Sequence, residues 1–116
     1  MNIEEFRAYC LSKKGTTEEF PFDKQTLVFK VMGKMFALTD VDLFESVNLK
    51  VEPEVGAELR DKYGFVREAY HMNKKHWITV FVGEGVSDKL LMSWIDTSYQ
   101  LVTNGLTKSQ KLTLDT

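Results

Sequence analysis

A chain of 116 residues with 43% hydrophobic content can build one core and is too short for two ordinary domains. Eight phenylalanines, four tyrosines and two tryptophans exclude a disordered polymer, and a net charge of −2 excludes a uniformly basic nucleic-acid binder, so any such binding must be local. No apolar run approaches bilayer length, and MNIEEFRAYC carries acids where a secretory signal needs positive charge, so a cytoplasmic protein without membrane partners is expected.

Ile3, Phe6 and Cys10 fall on one helical stripe and predict an amphipathic first helix that breaks at Lys13-Lys14-Gly15. TTEEFPFDK then reads as a loop interrupted by Pro21, with Phe20 and Phe22 expected to anchor it to the core. In TLVFKVMGKMFALTD two strand-like runs flank Gly33-Lys34, a two-residue turn with glycine first. That turn predicts Met32 opposite Met35, Val31 opposite Phe36, Phe29 opposite Leu38, and Lys30 opposite Ala37. SVNLKV alternates in the same sense, with Val47, Leu49 and Val51 inward. Pro53 suits the first turn of a helix running to about Lys62, with Val55 and Leu59 one turn apart and Gly64 as its stop. A fourth strand from Phe65 through Ala69 and Tyr70 would turn at Asn73-Lys74-Lys75 into HWITVFV, the fifth. Ser87 is a good N-cap for a long helix in which Leu91, Ile95, Ser98 and Val102 share one face, ended by Asn104-Gly105. The tail LTKSQKLTLDT adds room for one short helix. The expected architecture is a single α+β domain, a mainly antiparallel sheet with helices packed on one face.

If Phe29, Val31, Phe36, Leu38, Val47 and Leu49 point to the helices, the other face carries Lys30, Ala37, Asn48 and Lys50. Both parities of the fifth strand hold apolar groups. The aliphatic set Ile78, Val80 and Val82 reads as the inner one, which leaves Trp77 and Thr79 on the open face beside Lys30 and Lys50. An exposed indole among lysines is an arrangement that single-stranded nucleic acid uses, bases stacking on the ring while cations meet phosphates. An ordinary solvated sheet face has the same composition.

Local signs of catalysis are missing: there is no phosphate loop, nucleophile elbow, paired-histidine helix or calcium loop. Gly83-Glu84-Gly85 fits a small-residue turn between strand and helix better than a nucleotide fingerprint. His71 and His76 flank the Asn73-Lys74-Lys75 turn, but no acidic third ligand stands at metal spacing and the lysines repel a cation. Cys10 is the lone cysteine and lies on the apolar stripe of the first helix, which points to a buried, inert thiol. Glu18, Glu19, Asp23, Asp40, Asp42 and Glu45 could offer oxygen ligands to a hard cation, although loops are acidic mainly for solubility.

The segments FPFDKQTLVFKVMGKMFAL, SVNLKVEPE, YHMNKKHWITV and SYQLV, in this order and spacing, resemble the MmcQ/YjbR family of small bacterial proteins. The likeness covers nearly the whole chain and implies one MmcQ/YjbR-like domain over 1–116, with a frataxin-like fold. It also implies DNA binding through paired hairpin wings, carried here by the tip at Gly33-Lys34, the strand lysines Lys30 and Lys50, and Lys74, Lys75, His76 and Trp77. The family has no catalytic residue set to carry over, so a non-enzymatic protein without cofactor is expected, its partner DNA or RNA. A protein or small anionic ligand on the same face is the alternative. Frataxin-like metal binding is a third, for which the first helix offers only Glu4 and Glu5.

Overall fold

The computed structural model describes all residues except His71. In chain order the elements are α1 (Ile3–Leu11), β1 (Thr16–Glu19), β2 (Thr26–Val31), β3 (Lys34–Asp40), β4 (Ser46–Lys50), α2 (Pro53–Lys62), β5 (Val66–Glu68), β6 (Trp77–Phe81), α3 (Asp88–Asn104) and α4 (Lys108–Asp115). Six strands form one sheet in the order β1-β2-β3-β4-β6-β5, and every pairing is antiparallel. The α+β reading with helices on one face therefore holds.

The helices form where the sequence places them, and for local reasons. Asn2 accepts from the Glu5 backbone N–H at 2.8 Å while the Glu5 carboxylate accepts from Asn2, so a capping box starts α1. Ser87 caps α3, which buries Leu91, Ile95, Ser98 and Val102, the face that the spacing predicts. Thr107 and Gln110 make a second capping box that starts α4.

α2 departs from expectation. It buries Gly56 rather than Val55, which stays exposed, because the helix lies close to the sheet edge: a Cβ on Gly56 would stand 2.9 Å from Val51 Cγ2 and 3.6 Å from Ile78 Cγ2. Gly56→Val is expected to cost about 1–3 kcal/mol by overpacking, read as a lower melting temperature, although valine is the better helix former.

β1 is the strand that the sequence hides. Thr16-Thr17-Glu18-Glu19 has no apolar alternation, yet it pairs with β2 from Thr16↔Val31 to Glu19↔Val28. Its helix-side position Glu18 is matched by an ion pair to Arg7 of α1.

The β2–β3 register also differs. The turn centres on Met32 and Gly33, both at positive φ (50° and 79°), as a type I′ hairpin turn requires. Val31 therefore faces Lys34 and Lys30 faces Met35; the ladder then slips by one residue, so Phe29 faces Ala37 and Val28 faces Leu38. Phe36 is the extra residue of this bulge. Phe36 and Ala37 both enter the helix-side core, while Leu38 swings to the open face. The expected outward Ala37 and inward Leu38 are thus exchanged.

The bulge lifts the Phe36 carbonyl out of the ladder, and Ser98 replaces the lost partner. Its buried hydroxyl donates to Phe36 O at 2.5 Å and accepts from Lys50 N at 2.8 Å, closing the gap between β3 and β4 from the helix side. Phe6, Phe29, Leu49, Ile78, Val80 and Ile95 fill the core between helices and sheet.

Candidate functional site

Alternation puts Thr26, Val28 and Lys30 of β2, Met35 and Leu38 of β3, Asn48 and Lys50 of β4, and Trp77 and Thr79 of β6 on the face without helices. Ile78 and Val80 face the core as expected. β2 and β4 run parallel to each other, and β6 runs opposite, so Lys30, the Lys34 tip, Lys50 and the stretch from Lys74 to Trp77 gather at one end of the sheet. The chemistry that the sequence spreads over about fifty positions is brought together by strand order.

One member does not behave as expected. Trp77 pairs with Lys50 on the open face, but it is only 8% exposed and cannot serve as a stacking surface. β5 is the outermost strand, yet Tyr70 and Met72, which follow it, line a groove together with Asn48 of β4 and Leu38 of β3, two and three strands in from that edge. Trp77, Thr79, Val28 and Leu38 are buried on this side of the sheet as a thin second core.

The lysines differ in the charge they have free. Lys30 is ion-paired with Glu19, and Lys74 lies 3.7 Å from exposed Glu68. Lys34, Lys50 and Lys75 make no ion pair among the described residues. His76 is exposed, its N–H bonded to Asn73 O and its carbonyl accepting from Val51 N, so the Asn73–His76 turn is tied to the end of β4. The pair of His76 with His71 lies outside the described residues.

The groove on the open face has a volume of about 470 Å³ and is lined by Phe22, Asp23, Thr26, Met35, Leu38, Asn48, Tyr70 and Met72. Phe22 is 65% and Tyr70 75% exposed. Phe22 therefore does not anchor its loop in the core, as expected from sequence, and Phe20 is likewise exposed. Asp23 holds the entry to β2, accepting from Gln25 N, Thr26 N and the Thr26 hydroxyl; the two backbone N–H bonds keep its carboxyl below the usual range. The aromatic rims and Asn48 were missed because they come from two loops and one strand, and only a Phe-Pro-Phe stretch hints at a displayed ring.

Elsewhere, titratable groups meet between α1 and α3. Tyr9 Oη donates to Asp96 Oδ1 at 2.6 Å, and Lys13 is ion-paired with the same carboxylate. These bonds outweigh burial and lower the Asp96 pKa. Cys10 is sealed in the core, and burial pushes its thiol up, as an inert cysteine requires. The loop acids do not assemble: Glu18 and Glu19 face Arg7 and Lys30, and Asp40 accepts from Asp42 N and Leu43 N. Among the described residues no three His, Cys, Asp or Glu side chains gather as a metal site would need. Among them, too, no helix is long and apolar enough to cross a membrane.

Comparison with known proteins agrees with this architecture. Residues 11–101 match the YjbR family model. The chain is 40% identical over 90 residues to the uncharacterized protein YbdF of Escherichia coli O157:H7, covering 77% of this chain and 74% of that one. It is 32% identical over 112 residues to the uncharacterized protein YjbR of Escherichia coli K12, covering 96% and 95%. The crystal structure of Deinococcus radiodurans protein DR2400, a DUF419 domain, superposes with a TM-score of 0.90 at 40% identity, over 98% of this chain and 88% of that one. A Pseudomonas syringae protein superposes with a TM-score of 0.75 at 34% identity, over 87% and 98%. Sequence and fold together make this chain a member of the YjbR family.

Proposed function

We propose that this protein is a non-enzymatic binding domain for single-stranded nucleic acid, which it takes on the open face of the sheet. The observation that supports the reading is the juxtaposition of an apolar groove rimmed by two exposed aromatic rings, Phe22 and Tyr70, with the lysine-bearing end of the same face. Rings of this kind hold bases by stacking, which any base can satisfy, while ammonium groups meet the phosphates. Lys34, Lys50 and Lys75 are the cations with charge to offer, and Lys30, Lys74 and His76 border them. The stacking role passes from Trp77, which is buried, to Phe22 and Tyr70.

Fluorescence anisotropy with a labelled single-stranded 12-mer tests this. Affinity is expected to fall with salt at a log–log slope of about −2 for three phosphate contacts. Phe22→Ala and Tyr70→Ala are each expected to weaken binding by about 1–3 kcal/mol, the range for losing one stacked base. Binding that is absent at low salt, or indifferent to salt, would dismiss the proposal.

A second reading, a small anionic ligand, is favoured by the groove's size, since about 470 Å³ takes one ring system rather than a strand. A free mononucleotide that competes as well as the 12-mer would support it.

A further inference from the structure

We infer that a bound strand does not stop at the border of the open face but turns round the β2–β3 hairpin tip, where Lys34 meets it, and lays further phosphates in a polar cleft on the helix side, between Lys14 and Lys111. The inference rests on the reading of the open face as a nucleic-acid site and goes further by adding a second phosphate-holding surface and the route to it.

The route follows from strand parity. Lys34 stands opposite Val31 in the β2–β3 ladder, and side chains directly opposite in an antiparallel pair share a face. Val31 is buried in the helix-side core, so Lys34 projects on the helix side, whereas Met35 beside it lines the open-face groove. The tip therefore belongs to both faces.

α4 meets the sheet at the same place. A Cβ on Gly15 would run into Leu114 Cδ1 and stand 3.8 Å from Val31 Cγ2, so α4 packs on the turn between α1 and β1, next to the residue that faces Lys34. Leu114 is also a wall of a cleft of about 320 Å³ whose polar lining includes Lys14, Gln100, Asn104 and Lys111. The Tyr99 hydroxyl donates to the Lys14 carbonyl at 2.6 Å, and the Tyr99 ring stands edge-on to Phe36 at 5.4 Å between centroids, so the wall that carries Lys14 is tied to the core. With its one aromatic ring engaged in this way, the cleft suits backbone rather than base, and it adds affinity without preference for sequence.

Charge is matched elsewhere and free along this route. Arg7, Lys13, Lys30 and Arg67 each pair with a carboxylate, while Lys14, Lys34 and Lys111 make no ion pair among the described residues. Asp115 is the acid in the cleft lining, and the two lysines there, with Lys34 nearby, outnumber it. Ammonium groups left unpaired around a concave surface repel one another, and a phosphate backbone relieves that repulsion.

The experiment uses the full chain and labelled single-stranded thymine 12-mers and 24-mers, read by anisotropy over a range of salt. A 12-mer measures about 41 Å at the 3.4 Å rise of a duplex strand, close to the protein's longest dimension of 39 Å, so one laid across the open face has little chain left to turn the tip. A 24-mer has enough. The 12-mer is expected to keep the open-face slope of about −2 and the 24-mer to steepen to about −3.5, because two further phosphate contacts add about −0.7 each. Lys14→Gln combined with Lys111→Gln is expected to return the 24-mer to the 12-mer slope and to leave the 12-mer unchanged. Lys62→Gln combined with Lys89→Gln removes the same charge from exposed positions at the end of α2 and the start of α3, away from the cleft, and is expected to leave both slopes alone. Thermal melts confirm that each variant is folded. Equal slopes for the two lengths, a 24-mer slope that survives loss of Lys14 and Lys111, or an equal drop in the Lys62 and Lys89 variant would overturn the inference and leave the open-face reading standing. No binding of either strand would overturn both.

Discussion

Replacing Phe29 with alanine is expected to destabilise the protein by about 3–5 kcal/mol, a large part of the roughly 5–15 kcal/mol by which domains of this kind are folded. Phe29 is fully buried on the middle of β2, where its ring stands edge-on to Phe6 of α1 at 5.8 Å between centroids. Phe6 in turn touches Phe44, so truncating Phe29 opens a void that its aromatic neighbours cannot collapse into without moving α1. The cost contains both the lost transfer of the ring from water and the cavity left behind. Urea unfolding should show the midpoint falling with little change in slope. Phe22→Ala is the control, since its ring is exposed on the groove rim, and a change within about 0.5 kcal/mol is expected there. Equal losses at the two positions would mean that the division between core and displayed rings is wrong.

Ser98→Ala is the second large effect, expected at about 2–4 kcal/mol although it removes a single oxygen. The Ser98 hydroxyl serves two backbone groups at once, the Phe36 carbonyl that the bulge displaces and the N–H of Lys50 at the end of β4. Alanine leaves both without a partner where water does not reach, and each orphaned group costs roughly 1–3 kcal/mol. The local signature is distinct from general loosening. Amide exchange at Lys50 should accelerate more than at Leu49, whose residue pairs with β3 and β6. Because Lys50 and Met35 flank the bulge on the open face, the same variant should also weaken nucleic-acid binding beyond what its lower stability explains. Unchanged Lys50 exchange would show that the hydroxyl does not close the sheet.

The legibility of the sequence varied with the range of the interaction involved. Capping residues and the 3.6-residue period act within a few positions, so Ser87 and the Leu91-Ile95-Ser98-Val102 face could be read directly. The polarity of β4 followed from strict alternation, and it placed Asn48 and Lys50 on the open face correctly. The hairpin was visible as a turn, but its centre was assigned one residue late. Met32 takes a positive φ that its side chain disfavours, and this happens because a type I′ turn matches the twist of the strands and the bulge keeps Phe36 in the core.

By itself, the sequence determined the class of fold, the helix boundaries, the family likeness and the face on which the lysines stand, because each is carried by spacing along the chain. Tertiary structure alone decided that β1 joins the sheet, that the lysines meet at one end, that Trp77 is buried, and that Tyr70 and Phe22 line one groove. Those outcomes depend on which strands become neighbours and on what covers a face, and neither is written in the period of a side chain.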